Sequence, residues 1–159
     1  MIYDELLKLE TSKQSPHSPG IIQNNELVAR LLVPEYIDDD GQVLASAFSH
    51  SDISVLRCIY DFESNKNLTI KQLLSNPKNI YKGYITAKIC SLRNITYENL
   101  SSRLCYVIDS ATKDKIGHAD IKKITKRILN NTNIVLSEKR LKKFIESKIL
   151  DVFDKEIKQ

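Results

Sequence analysis

Glu26-Leu27-Val28-Ala29-Arg30-Leu31-Leu32-Val33-Pro34 is the stretch on which the fold turns. Its run of Leu and Val, with almost no polar alternation, reads as a buried strand. Pro34 ends it, because proline offers no N–H to a ladder and holds the preceding residue extended. Two more stretches are of this kind. Asp52-Ile53-Ser54-Val55-Leu56-Arg57-Cys58-Ile59 is a second strand candidate, and Leu104-Cys105-Tyr106-Val107-Ile108 is a third. The last is apolar throughout, which suits a central position in a sheet.

Around these strands the spacing predicts helices. Thr69 can cap a short helix through Leu73 and Leu74, stopped before Pro77. Tyr81, Ile85, Lys88, Ile89 and Leu92 trace another helical face, and residues 96–102 add a short one. Two amphipathic helices are expected to finish the chain. Ile121, Ile124 and Ile128 form the stripe of the first, with Lys122, Lys123, Lys126 and Arg127 opposite, and Asn130-Asn131-Thr132-Asn133 ends it. Ser137 caps the second, whose stripe is Leu141, Phe144, Ile145, Ile149, Val152 and Phe153; Lys139, Arg140 and Lys143 point away.

At the other end, Ile2, Leu6 and Leu9 fall at helical spacing. A helix this short is unstable alone, so its stripe must dock on its own core, a second protomer or a partner. Ser15-Pro16-His17-Ser18-Pro19-Gly20 forbids its continuation. The division expected is a helix over 1–14, a linker over 15–25 and one domain over 26–159. With strands early and helices late, the class is α+β: a small mixed or antiparallel sheet with helices, two amphipathic helices at the C-terminus and a tethered N-terminal helix.

Composition narrows the function classes. A chain of 159 residues, 42% hydrophobic and 28% charged, suits one self-sufficient domain. Met1-Ile2-Tyr3-Asp4-Glu5 lacks the basic start of a signal peptide, and no apolar run is long enough to cross a bilayer. A cytoplasmic protein with no membrane partner is expected. Cys58, Cys90 and Cys105 are odd in number and set among apolar residues, as reduced thiols would be. From Lys113 onward there are 13 Lys and Arg against 7 Asp and Glu, so the positive charge belongs to the C-terminal third.

Candidate chemistry is sparse. Asp38-Asp39-Asp40-Gly41 has the carboxylates of a calcium loop but not their alternation, and reads as an acidic turn. His50-Ser51-Asp52 holds three residue types of a hydrolase triad, but side chains adjacent in extended backbone face opposite ways. Asp109 at a strand end and His118 in Ile116-Gly117-His118-Ala119-Asp120 are the catalytic candidates, with His118 poised as a neutral base if it starts a helix. Four scattered glycines build no phosphate-cradling loop, and no cofactor or metal is indicated.

Leu27-Val28-Ala29-Arg30-Leu31, Ala47-Phe48 with Asp52-Ile53-Ser54-Val55, Arg93, and Ile108-Asp109 leading to His118-Ala119-Asp120-Ile121 occur in an order that resembles a loose group of short uncharacterised bacterial proteins. The resemblance brings no activity. It implies that Arg30, Arg57, Arg93, Asp109 and His118 form a set: in one cleft, the three arginines would bind an anion beside an acid–base pair.

Three functions follow in order. The first is a non-catalytic interaction module, an accessory subunit of a bacterial multi-protein complex, with a protein partner or self-association through Ile2, Leu6 and Leu9. The second is nucleic-acid association through Lys122, Lys123, Lys126, Arg127, Lys139, Arg140 and Lys143. The third is a small hydrolase or transferase centred on Asp109 and His118.

Overall fold

The computed structural model describes residues 2–12, 14–97, 103–126 and 136–159. Helix α1 (Ile2–Ser12) precedes strands β1 (Leu27–Leu31) and β2 (Asp52–Arg57). Helix α2 (Phe62–Leu74), strand β3 (Tyr84–Lys88) and the short helix α3 (Ile89–Arg93) follow, then strands β4 (Cys105–Asp109) and β5 (His118–Lys123) and helix α4 (Glu138–Val152). Short 3-10 turns at Pro34–Tyr36 and Ala45–Phe48 join β1 to β2. All strand pairs are antiparallel, in the order β3-β1-β2-β5-β4. The α+β class expected from the strand and helix stretches is the observed one.

Strand alternation gives the sheet two unlike faces. On the first, Val28 lies opposite Arg57 and Ala87, Val55 opposite Ala119, and Ile53 opposite Ile121. Leu6 of α1, Ile89 and Leu92 of α3, and Leu141, Ile145 and Ile149 of α4 join these residues in one core. Ser137 caps α4 as expected, its hydroxyl accepting from the Arg140 N–H. On the second face, Ala29, Leu56 and His118 lie across from one another, beside Ser54 and Asp120. Here α2 packs against β2 and leaves part of the face open.

Both sheet edges are covered, which protects them from pairing with other chains. Beside β3, the C-terminal tail adds a bridge: Tyr84 N–H donates to Lys158 O at 2.8 Å and Lys158 N–H returns a bond to Tyr84 O at 2.9 Å. Gly83 permits this approach, for its φ is +104° and a Cβ there would sit 2.5 Å from Lys158 O. Beside β4, the Val107 N–H donates to the Glu10 carboxylate at 3.1 Å, and the Ser15 N–H donates to Asp109 O at 3.2 Å.

Several local expectations change. The segment expected to begin the penultimate helix is β5, where alternation buries Ala119 and Ile121; residues 127–135, with Arg127 and Ile128, lie outside the described residues. The helical spacing of Ile121 and Ile124 fits either structure, and cross-strand pairing decides it. Tyr84–Lys88 is likewise a strand, with the helix confined to Ile89–Arg93. Thr69 does not cap α2, which starts at Phe62; its hydroxyl bonds the Asn65 carbonyl one turn back. β4 is an edge strand rather than a central one, and its apolar character is matched by the cover of α1. The short helix expected over 96–102 falls mostly outside the described residues.

Candidate functional site

Two of the three arginines in the candidate set are taken by the chain's own carboxylates. Arg57, fully buried on the first face, uses all five N–H groups: Nε and Nη2 clamp Glu26 at 2.7 and 2.8 Å, Nη1 meets Asp109 at 2.9 Å, and the Gly20 and Ile21 carbonyls take the others. Asp109 also accepts from the Ser18 hydroxyl and the Ala111 N–H. Arg93 donates to Glu10 at 2.9 Å, to Asn24 and to the Ile22 carbonyl. Glu10 receives Arg103 as well, at 2.7 Å. Residues 15–25 are therefore held down over the edge of the sheet by buried guanidinium groups, not left as a free tether.

Arg30 differs. Its Nε donates to Ala47 O at 3.1 Å, Nη1 to Ser54 O at 3.0 Å and Nη2 to the Tyr36 hydroxyl at 3.3 Å. It is 8% exposed, and among the described residues no carboxylate pairs with it. Only two residue pairs, Val28 with Arg57 and Ala29 with Leu56, join β1 to β2. Beyond them, Arg30 ties β1 to the β2 backbone in place of further ladder bonds.

By alternation Arg30 starts on the first face, opposite Ile85. Beyond Ala29, however, β1 and β2 part, and its guanidinium reaches Ser54 O and Tyr36 there. Arg30 thereby also lines a cavity of about 440 Å³ between the second face of the sheet and α2. Leu31, Val33, Leu56 and Leu73 give it apolar walls; Tyr36, His50, Asp52, Lys115 and His118 supply polar groups. This is within the usual size range of small-molecule sites. The His118 Nδ1 is 2.7 Å from the Ser110 hydroxyl, and its Nε2 bonds to no other described residue. Burial, against the pull of Asp120, holds the imidazole below its ordinary value of 6.5, so it is neutral at pH 7. The Lys115 ammonium is pushed down by burial as well and donates to Gln72 on α2.

Asp109 and His118 do not meet. Asp109 is paired with Ala119, so His118, one residue back, projects from the other face. The carboxylate is sealed against Arg57 and does not line the cavity. Neutrality of His118 comes from burial in a strand, not from a helix start. His50 and Asp52 both reach the cavity, but His50 stacks edge-on against Tyr36 and Asp52 pairs with Lys122. In the acidic turn, Asp38 accepts from the Asp40 and Gln42 N–H groups as an Asx turn does.

The basic residues are divided. Lys122 and Lys123 alternate across β5: the first pairs with Asp52, the second with Glu146 of α4 at 2.9 Å. Lys126 is half-buried, and Lys139, Arg140 and Lys143 are exposed on α4. For the N-terminal stripe, Leu6 is fully buried and Leu9 packs against the same core, so their apolar surface is already covered within the chain. The three cysteines are free thiols; burial pushes Cys58 up to about 11 and Cys105 to about 12.

Neither a family model, nor a curated protein, nor a solved structure matches this chain. Its site must be read from its own geometry. Tyr36, Lys115, Ser110, Glu10 and Glu26 were not among the candidates from sequence. Glu10 and Glu26 carried a signal: Glu10 is one helical turn after Leu6, and Glu26 is two residues before Val28, so each shares a face with core residues. The lining residues Tyr36 and Lys115 carried none, since only packing brings their loops together.

Proposed function

We propose that this protein is a non-catalytic interaction module, an accessory subunit of a multi-protein complex, with the cavity mouth as its recognition surface. The observation that carries this reading is a set of exposed apolar residues. Leu74, Ile80 and Ile116 are 53%, 55% and 42% exposed. Each is the chain neighbour of a cavity-lining residue, Leu73, Asn79 or Lys115. Large apolar side chains kept in water beside a concave site are the kind of surface a protein partner buries. The commitment of Asp109 to Arg57 also favours binding over catalysis, because His118 then lacks the acidic partner assigned to it.

Affinity capture at low and high salt tests the reading, using the wild-type chain and one carrying Leu74→Asp, Ile80→Asp and Ile116→Asp together. A stoichiometric protein partner is expected to survive high salt and to be lost with the variant. Nucleic acid recovered at low salt, lost at high salt and indifferent to the three substitutions would instead move the function to Lys139, Arg140 and Lys143.

A further inference from the structure

Among the six arginines that the chain carries, Arg30 sets a problem that Arg57 and Arg93 do not. A buried guanidinium is tolerated when charges and donors are matched. Arg57 meets two carboxylates and has no unused N–H, and Arg93 meets one carboxylate. Arg30, as buried as Arg93, meets three neutral oxygens. A guanidinium has five N–H groups, so two of those on Arg30, one on each terminal nitrogen, are left over. Burial pushes its pKa down from the guanidinium value, but arginine keeps its proton. The positive charge therefore stays in place, beside open volume; among the described residues no carboxylate touches it, and Asp120 offsets its burial only from a distance.

We propose that the cavity beside Arg30 binds a small organic anion, a carboxylate or phosphate ester attached to an apolar body. The anion accepts from the two unused N–H groups of Arg30 through two oxygens, the arrangement that guanidinium favours. Its apolar part lies on Leu31, Val33, Leu56 and Leu73, which line the same space. Lys115, bonded to Gln72 of α2, supplies a further donor, and His118 of β5 presents a ring nitrogen to the same space. Two carboxylates also line the cavity: Asp52 is neutralised by Lys122, while Glu35 is exposed and free to turn outward. Tyr36, whose hydroxyl and ring both touch Arg30, holds the guanidinium plane in position. This deepens the reading of the cavity as a recognition surface, and requires of it only that the cavity be open to solvent.

The test is a titration of the full chain, followed by methyl and arginine side-chain NMR, with hexanoate, hexyl phosphate and the uncharged isostere hexanol. Hexanoate or hexyl phosphate is expected to shift the Leu31, Leu56 and Leu73 methyls together with the Arg30 Nε–H. Hexanol is expected to bind about tenfold or more weakly, since it lacks the charge-assisted bonds. Whichever anion binds tighter names the ligand class. Inorganic phosphate separates a bare anion site from one that needs the apolar body: it should bind more weakly than hexyl phosphate. Arg30→Gln should erase the difference between hexanoate and hexanol; if that variant does not fold, Tyr36→Phe, which releases one restraint on the guanidinium, should narrow it. Equal binding of hexanoate and hexanol by the wild-type chain, or shifts scattered away from these leucines, would overturn the proposal. The variant bearing aspartates at positions 74, 80 and 116 keeps Arg30, so loss of the partner with retained hexanoate binding separates failure of one reading from failure of the other.

Discussion

The Arg57 Nη1 lies 2.9 Å from the Asp109 Oδ2, with both side chains all but sealed from water. That contact joins β2 to the end of β4, which share no ladder because β5 lies between them. Through the Ser18 hydroxyl and the Gly20 and Ile21 carbonyls it also fixes the segment that leads from α1 into β1. Asp109→Ala leaves one charge of Arg57 unbalanced in the interior. It should lower the unfolding free energy by about 3–5 kcal/mol, as removing one member of a buried pair does. Urea unfolding measures the loss. Limited proteolysis should also cut residues 15–20 sooner; an unchanged midpoint and an uncut linker would show that Glu26 alone satisfies Arg57.

Glu10 does for α1 what Asp109 does for the linker. One carboxylate receives Arg93, Arg103 and the Val107 N–H on the outer edge of β4. Glu10→Ala is expected to cost about 3–5 kcal/mol, for it orphans buried donors. The diagnostic readout is hydrogen exchange at Val107. Its amide should lose protection selectively, while amides of β1 and β2 change only with global stability. Uniform loss across the sheet would mean that α1 is held by Leu6 and the core rather than by the carboxylate.

His118 gives a pH dependence of determinate sign. Its folded pKa lies below the ordinary 6.5, chiefly through burial. As pH falls below that value, the unfolded chain takes up this proton before the folded one does, so stability decreases. The contribution is complete above about 6.5 and is lost as pH falls through the folded pKa. His118→Gln, which keeps a hydrogen-bonding group beside Ser110, should flatten that part of the stability profile. Thermal unfolding between pH 7 and pH 5, about the range in which histidine titrates, reads the difference. A variant profile parallel to the wild type would remove His118 as the titrating group.

Much of the frame was legible in the residues. Apolar runs at Leu27–Leu31 and Asp52–Arg57, the capped stripe of α4 and the stripe of α1 name local structures whose side-chain periods are strong. The α+β class follows from them. β5 and β3 were misread as helices because short segments with apolar residues three or four apart satisfy two periods at once. In each, a pairing partner distant in sequence decided between them: Ile53 for Ile121 and Arg30 for Ile85.

By itself, the sequence determined the α+β class and the burial of its apolar strands, and pointed to unpaired thiols, while Arg30, Arg57 and Arg93 were singled out as a set by the resemblance alone. Tertiary structure alone decided their different fates. Arg57 and Arg93 meet Glu26, Asp109 and Glu10, while Arg30 is left facing open volume. The physical reason is range. Helix and strand periods are written between residues a few positions apart, but charge pairing depends on distance in space. The separation between Glu10 and Arg93, or between Arg57 and Asp109, is closed only when the sheet is assembled.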